Sequence, residues 1–238
     1  MLIEFFAIPG AGKTTLVKTV SEKACVRTRH QISDKWNQQS LFQRGANLVR
    51  SYLKLDRVAD VLRFAAAARI ANTDSLRRLL RLVGKTDRLR SERGTILLDQ
   101  GSLQELWSIL YANGSLATDP KLLSRLIRSL YDGLDASILF IDVDPQTASR
   151  RISGRSHGHS RLDGLSDGQI RDDLARAENL PRQIIEAAAL AGLNVTILDG
   201  SAPVEQLVSA TLAAVLEGPA ATARRSGSCS GRSKSGLQ

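Results

Sequence analysis

MLIEFFAIPGAGKTTLVKTV, residues 1–20, is the stretch that decides the fold. An apolar run breaks at Pro9, passes through a short loop and enters a helical pattern, which predicts a strand, a loop and a helix in that order. A phosphate chain needs backbone N–H groups turned inward around its oxygens, and Gly10, Ala11 and Gly12 are small enough to let the backbone approach it closely. The stretch therefore predicts a phosphate-binding loop.

Two side chains after the glycines have predicted roles in this loop. Lys13 supplies a mobile cation for the β- and γ-phosphates, and the hydroxyl of Thr14 coordinates Mg²⁺ at the start of the first helix. The pattern G-x-x-x-x-G-K-[ST] would begin with glycine, where this chain has the small residue Ala7. A Gly/Pro turn that contains a lysine by chance is the alternative, but the strand, loop and helix order favours phosphate binding. The predicted contacts of the ATP phosphates are Ile8, Pro9, Gly10, Ala11, Gly12, Lys13, Thr14 and Thr15.

The composition is that of a globular chain with a full core. With 238 residues, 42% of them hydrophobic and 24% charged, we expect one large α/β domain over residues 1–217. No apolar run approaches the roughly 18 residues of a membrane span, and Glu4 interrupts the first apolar stretch, which argues against a signal peptide. Cys25 and Cys229 suggest neither a disulfide framework nor a zinc site. We expect a cytoplasmic protein.

The net charge of +9 is unevenly placed. Residues 41–93 contain thirteen Lys or Arg against five Asp or Glu, a surplus of eight. Their apolar residues recur at helical spacing with breaks near Asp56 and Asn72, which predicts a helical insert of three helices over about 40–93. Residues 218–238 are mostly Ala, Ser, Gly and Arg and cannot bury enough apolar surface, so we predict a disordered basic tail.

Strands and helices alternate along the rest of the chain. The further predicted strands are 24–28, 95–98, 137–143 and 194–198, and the further predicted helices start at Ser102, Asp119 and Asp144 as caps and cover 169–191 and 203–216. Right-handed crossovers then imply a three-layer α/β fold, with a mostly parallel five-stranded sheet between helices on both faces. Ligands are expected at the carboxyl ends of the strands.

Two other segments carry candidate site residues. Asp99 directly follows the buried strand 95–98, and at that place it predicts either a functional carboxylate or a simple cap. GRSHGHSRLDGLSDG, residues 154–168, has four glycines, two histidines and two arginines without apolar periodicity, which predicts a mobile surface loop. Its histidines have no third ligand nearby, so a metal site there is not predicted.

Other classes of phosphate-loop protein fit less well. GTPases read guanine with an NKxD-type element, and the nearest string, residues 84–87, has the sequence GKTD and precedes the Asp99 strand. Motor-type ATPases usually place Glu directly after the strand-end Asp, whereas Gln100 follows here. Both classes are therefore disfavoured.

Four stretches carry a family resemblance: AIPGAGKT at 7–14, ILLDQG at 96–101, IDVDPQTASRRISGR at 141–155, and the last strand with its helix. Together they resemble the nucleoside and nucleotide kinases of the thymidylate kinase-like group. The resemblance covers roughly residues 1–216 in the order of elements, although the specific motifs are a small part of that length. It implies the P-loop NTPase fold, with Mg-ATP as the phosphate donor. It also implies a strand-end Asp beside the phosphate loop and a lid, here about 154–168, that carries arginines onto the transferring phosphate.

Carried onto this sequence, the resemblance gives Asp99 the strand-end role, toward either the Mg²⁺ shell or the acceptor hydroxyl. Arg151 and Arg155 begin the lid and Arg161 lies within it. Many such kinases have Arg after the acid to hold the acceptor, and the neutral Gln100 is a poorer partner for a monophosphate. A nucleoside, a sugar, a natural product or another hydroxylated metabolite is therefore open as the small-molecule acceptor.

The predicted activity is in-line transfer of the γ-phosphate of Mg-ATP, in which Lys13, Mg²⁺ and the lid arginines neutralise charge. A rival reading is a nucleotide-switched binding protein whose basic helical insert holds nucleic acid or an acidic partner. Spread-out arginines and few aromatics disfavour this rival. A homodimer is also left open.

Overall fold

The structure, a computed structural model, describes residues 1–28, 54–116, 118–154 and 165–217. The first of the three helices predicted in the insert, most of the predicted lid with Arg155 and Arg161, and the predicted basic tail lie outside the described residues.

All described strands form one parallel sheet in the order β2-β3-β1-β4-β5. The strands are β1 (Leu2–Phe6), β2 (Arg27–Thr28), β3 (Ile96–Leu98), β4 (Ala136–Asp142) and β5 (Asn194–Asp199). This confirms the predicted five-stranded sheet, and it places the strand before Asp99 next to the strand that enters the phosphate loop. Because parallel strands share one carboxyl edge, the loop and Asp99 leave the sheet on the same side.

Helices cover both faces of this sheet. They are α1 (Lys13–Ala24), α2 (Leu55–Ala67), α3 (Thr73–Arg90), α4 (Ser102–Ala112), α5 (Pro120–Tyr131), α6 (Pro145–Ser153), α7 (Asp167–Arg176), α8 (Asn179–Leu190) and α9 (Val204–Glu217). The position of α2 and α3 between β2 and β3 confirms that the predicted helical insert separates the second and third strands. Within the described ranges no helix has the length and apolar character needed to cross a membrane.

Two hydrophobic cores lie on opposite faces of the sheet because side chains alternate along each strand. In β1, Leu2 and Phe6 pack into a first core with α2, α3, α4, α5 and α8, while Ile3 and Phe5 pack into a second core with α1, α6, α7 and α9. Glu4 points to the same face as Leu2 and Phe6 and is fully buried. The predicted three-layer arrangement is confirmed.

The predicted long helix over 169–191 is wrong, since α7 and α8 are separate helices. Ile170 and Leu174 of α7 pack into the second core, whereas Leu180 of α8 packs into the first. The chain therefore turns from one face of the sheet toward the other while its apolar spacing continues. Pro181 is accommodated in the first turn of α8, where a helix needs no N–H donor.

Some of the features predicted at the ends of other helices are present in the structure and others are not. The caps Asp119 and Asp144 are confirmed, since their carboxylates each accept a backbone N–H bond at 2.8 Å. Cys25, predicted in a core strand, is instead exposed at the end of α1 with φ of 51°. A capping box formed by Ser166 and Gln169 starts α7 at Asp167, inside the predicted lid.

Candidate functional site

The loop between β1 and α1 is a tight turn that requires glycine at two places. Gly10 and Gly12 have φ of 88° and 87°, a left-handed conformation that other residues rarely adopt. A Cβ on Gly10 would also lie 2.5 Å from the carbonyl oxygen of Ala148. The loop therefore packs directly against α6.

The N-terminus of α1 is open. A Cβ on Gly12, the N-cap, would meet no heavy atom of the described residues within 4 Å. No side chain in the described part of the chain caps this helix, and its first turn contains no acidic residue. The first amides of a helix lack intrahelical partners, and the helix dipole makes this end positive. The start of α1 is thus suited to an anion.

Lys13 brings a cation to the same loop. Its Nζ donates hydrogen bonds to the carbonyl oxygens of Ala7, at 2.8 Å, and Ile8, at 3.2 Å. The ammonium group therefore lies folded against the loop backbone. Thr14 and Thr15 follow in the first turn of α1, and both are exposed.

Asp99 lies at the end of the neighbouring strand. Leu98, the last residue of β3, pairs with Glu4 of β1, and α1 contacts β3. The carboxylate of Asp99 is half-buried, and none of the described residues forms a hydrogen bond or ion pair with it. Gln100 is exposed. The sheet thus brings the predicted carboxylate and the predicted loop to one edge through adjacent strands.

The donor atoms at this edge fit Mg²⁺. The Thr14 hydroxyl and the Asp99 carboxylate are hard oxygen ligands, and Mg²⁺ is usually held by one or two protein oxygens together with substrate phosphates and waters. Within the described ranges, no group of three or more His, Cys, Asp or Glu side chains has the geometry of a metal site. A nucleotide-bound Mg²⁺ does not need such a group.

Glu4 caps α4, a contact that the sequence reasoning missed. Its Oε2 accepts from the amide of Ser102 at 3.0 Å, and its Oε1 accepts from the amide of Leu103 at 2.7 Å. The hydroxyl of Tyr131 also donates to Oε2. The prediction that Ser102 caps this helix is therefore wrong: Gly101 is the N-cap, without a side-chain bond, and a carboxylate from β1 takes the free amides.

The electrostatics of this buried group are set by opposing effects. Burial raises the pKa of Glu4, while the Tyr131 hydroxyl, Lys85 and the two amides act to lower it. Burial, followed by the charge of Glu4, raises the pKa of Tyr131 well above its ordinary value. Each hydrogen-bond partner of the Glu4 carboxyl is a donor, which suits the ionised form. The only feature of the sequence that could have indicated this cap was the charged residue Glu4 within an otherwise apolar strand.

Lys85 holds the same turn from its outer side. Its Nζ lies 3.3 Å from the carbonyl oxygens of both Gln100 and Gly101, and 3.4 Å from a carboxylate oxygen of Glu105. In the sequence, Lys85 was noted only within residues 84–87, which do not match the guanine-binding element of GTPases. It instead supports the turn that carries Asp99.

The described start of the lid lies near the loop. Arg151 is exposed on α6, the helix whose Ala148 meets Gly10. The hydroxyl of Ser149 donates to the carbonyl oxygen of Asp167 at 3.1 Å, which ties α6 to α7 where the predicted lid begins and ends. No described contact joins Arg151 to the phosphate loop.

Two cavities differ in their relation to this edge. One of about 280 Å³ lies beside Ile8 at the ends of β4 and β5, where Asp142 and Arg182 pair at 3.4 Å. The Ser201 hydroxyl lowers the pKa of Asp199 on its rim. A larger cleft of about 1140 Å³ lies between α2 and α5, and no residue of the phosphate loop lines it. The donor chemistry, rather than the volume, places the candidate site at the loop.

Comparisons with known proteins agree with the fold. No protein-family model and no curated protein sequence matches the chain. The chain is similar to the solved structure of the YorR protein from Bacillus subtilis in complex with phosphorylated GDP, with 16% identity, a TM-score of 0.50, and coverage of 91% of this chain and 97% of that one.

Two kinases are also similar in structure. A deoxyadenosine kinase from M. mycoides has 14% identity and a TM-score of 0.48, with coverage of 91% of this chain and 99% of that chain. A shikimate kinase from Bacteroides thetaiotaomicron has 16% identity and a TM-score of 0.47, with coverage of 91% and 98%. The parallel strand order, the loop between β1 and α1, and the similarity to YorR show that the chain has an α/β fold of the P-loop type.

Proposed function

We propose that this protein is an ATP-dependent phosphotransferase, a small-molecule kinase that moves the γ-phosphate of Mg-ATP to a hydroxylated acceptor. One observation carries the proposal. The N-terminus of α1, which no described side chain caps, follows a glycine-containing loop and begins at Lys13, and Asp99 directly follows the adjacent strand. An anion site and a carboxylate at one sheet edge are what phosphoryl transfer requires.

The phosphates of ATP are proposed to lie against residues 8–15, where the amides of the loop and the first turn of α1 would donate to their oxygens. Lys13 would exchange its carbonyl contacts for contacts with the β- and γ-phosphates. Mg²⁺ held by Thr14 and Asp99 would supply further positive charge when bound. Arg151, with Arg155 and Arg161 of the proposed lid, would add positive charge as the phosphate is transferred.

In the transfer step, the acceptor oxygen forms a bond to the γ-phosphorus while the bond from that phosphorus to the bridging oxygen breaks. The electron pair of the broken bond leaves with ADP. The proton of the acceptor hydroxyl goes to Asp99 if that carboxylate faces the acceptor; otherwise Asp99 serves the metal shell and the proton passes to water. Lys13 and the amides need not move far to stabilise the charge.

The proposed acceptor is a nucleoside, a nucleotide, a sugar or another hydroxylated metabolite. The neutral Gln100 next to Asp99 favours acceptors without a phosphate at that place. Residues 1–217 are proposed to form one kinase domain, because both cores share one sheet. The helical insert over 40–93 and the lid over 154–168 belong to that proposal, as does the basic tail. The cytoplasmic location stays a prediction.

The rival function, nucleic-acid binding by the basic insert, finds less support. Asp87 lies 2.7 Å from Arg57, 2.8 Å from Lys54 and 2.5 Å from Arg90. Other described ion pairs of this block include Arg63 and Arg125 with Asp60, Arg78 and Lys85 with Glu105, Arg57 with Asp132, and Arg27 with Glu92. Much of the described positive charge is therefore engaged within the protein. Salt-dependent binding to DNA or RNA at physiological ionic strength would revive the rival.

Two measurements test the proposal. Isothermal titration with Mg-ATP should show binding at a single site, and a screen with radiolabelled ATP over nucleosides, nucleotides, sugars and small hydroxylated metabolites should label one acceptor class. Absence of Mg-ATP binding by the folded protein would refute the proposal. Binding without any labelled acceptor would instead favour a nucleotide-switched binding protein.

A further inference from the structure

The turn at residues 99–101, which carries Asp99, is held by two charged side chains from other elements. Glu4 of β1 binds the first amides of α4, at 3.0 Å from the amide nitrogen of Ser102 and 2.7 Å from that of Leu103. Lys85 of α3 lies 3.3 Å from two carbonyl oxygens of the turn. The turn is thus fixed from the core below and from the helical block beside it.

The fit between Glu4 and the turn leaves no space. A Cβ on Gly101 would lie 1.9 Å from Cδ of Glu4 and 2.0 Å from its Oε2. The φ of Gly101 is −90°, which any residue adopts. Glycine is therefore required here by the carboxylate of Glu4 and not by the backbone conformation.

This cap is built differently from the caps of neighbouring helices. Asp119 and Asp144 immediately precede α5 and α6 and cap them locally. The cap of α4 instead comes from a residue 98 positions before Ser102. That residue lies on β1, the strand whose end becomes the phosphate loop. A single short strand thereby sets the place of both the loop and the turn with Asp99.

We propose that Glu4 is a positioning residue that sets the place of Asp99 relative to the phosphate loop, with Lys85 as a weaker second support of the same turn. The proposal rests on the proposed function, in which Asp99 serves the metal or the acceptor. Glu4 itself is buried, and its carboxyl group bonds to the first amides of α4 and to Tyr131 of α5. Its effect on the reaction passes through the first turn of α4.

The test uses the full chain and Mg-ATP as the probe. In Glu4→Gln the amide nitrogen of the new side chain faces backbone N–H donors, so the first turn of α4 should loosen. We expect faster hydrogen exchange of the Ser102 and Leu103 amides. We also expect ATP turnover, measured as phosphate release, to fall roughly ten- to hundredfold while KM for ATP stays within about twofold.

Two further variants separate positioning from mere stability. Tyr131→Phe removes the hydroxyl that donates to Oε2 of Glu4 and leaves the bonds from the Ser102 and Leu103 amides intact, so it should lower Tm while turnover stays normal. Lys85→Met changes a partly exposed side chain, so it should fold even if Glu4→Gln does not. It should lower turnover severalfold without changing the Kd for Mg-ATP.

The outcomes are distinguishable. If Glu4→Gln and Lys85→Met both turn ATP over normally, the positioning role is wrong while the proposed function stands. If Tyr131→Phe and Glu4→Gln lose turnover equally at equal loss of Tm, Glu4 is only a structural residue. If the wild-type protein does not bind Mg-ATP, the proposed function fails, and the catalytic purpose of the turn fails with it.

Discussion

The N-termini of α1 and α4 follow neighbouring parallel strands, yet they differ in whether a side chain caps their first amides. The first turn of α1 has no capping side chain among the described residues, and Lys13 lies in its loop. The first turn of α4 is closed from inside by the carboxylate of Glu4. Both helices present the same positive end of a dipole at the same edge of the sheet.

The difference shows which helix end is structural and which can serve a ligand. Inside the protein, free amides must be satisfied, and Glu4 does so for α4 at the cost of burying a carboxylate. At the surface, the amides of α1 can be left to an anion from solution. Because α6 is also capped, by Asp144, the open start of α1 is distinguished from both of its capped neighbours.

The largest expected effect comes from a substitution at the start of α1, the helix end that no described side chain caps. Lys13→Ala should lower phosphate transfer by about a thousandfold or more, because the loop loses the cation that meets the β- and γ-phosphates. The fold should survive, as shown by an unchanged circular dichroism spectrum. Lys18→Ala, an exposed lysine on the same helix, is the matched control and should transfer normally. Normal turnover in the Lys13 variant would contradict the phosphate-site assignment.

The second prediction concerns the strand end between the two helices. Asp99→Asn keeps the volume of the side chain but removes its charge, so turnover should fall by roughly two orders of magnitude. Steady-state kinetics and circular dichroism measure this. Asp135→Asn changes an exposed carboxylate at the opposite edge of the sheet and should have no effect on turnover. A folded Asp99 variant with normal turnover would make this carboxylate a simple strand-end residue.

The third prediction concerns the start of α4, which Glu4 caps. Gly101→Ala forces a methyl group against the Glu4 carboxylate and should destabilise the protein by about 3 kcal/mol. That loss corresponds to a decrease in Tm of about 6–12 °C for a chain of this size. The matched control is Gly168→Ala in α7, where a Cβ would meet no atom of the described residues within 4 Å and Tm should not fall.

A double variant shows whether the Gly101 effect comes from Glu4. Glu4→Ala removes the carboxylate that the methyl group would strike, so Gly101→Ala should cost less in that background than in the wild type. Thermal unfolding of the four proteins in this cycle measures the coupling. Additive losses would mean that the clash is relieved by some other movement.

The smallest expected effect is a pH dependence. Burial raises the pKa of Glu4 above its ordinary value of 4.5, so its stabilising contribution is complete below that value and is lost as pH rises through the folded-state pKa. The Tm advantage of the wild type over Glu4→Gln should therefore narrow as pH rises above the ordinary pKa of 4.5. An advantage that widens with pH would indicate a lowered pKa instead.

The sequence was sufficient for the parts of the site that depend on neighbouring residues. The glycines, Lys13 and Thr14 lie within five positions, and their strand, loop and helix context is visible in the apolar pattern. The strand before Asp99 is a short, fully apolar run, a pattern typical of a central strand in a parallel sheet, and it lies next to β1. The local caps Asp119 and Asp144 were also predicted, since such a residue acts on its own helix.

Contacts between distant residues could not be predicted in this way. Ser102 has the residue type of a cap, but the carboxylate of Glu4 reaches the amides of α4 first. The apolar spacing over 169–191 continues through a change of sheet face, so one helix was predicted where two exist.

The sequence by itself determined the glycine-containing loop between β1 and α1 and the place of Asp99 on the carboxyl edge, because these follow from residues close together in the chain. Only the tertiary structure decided that Glu4, rather than Ser102, closes α4, and that the turn with Asp99 is clamped by Glu4 and Lys85. The physical reason is that a buried charge is retained only where donors converge on it. Here β1, α3, α4 and α5 must pack together before those donors converge.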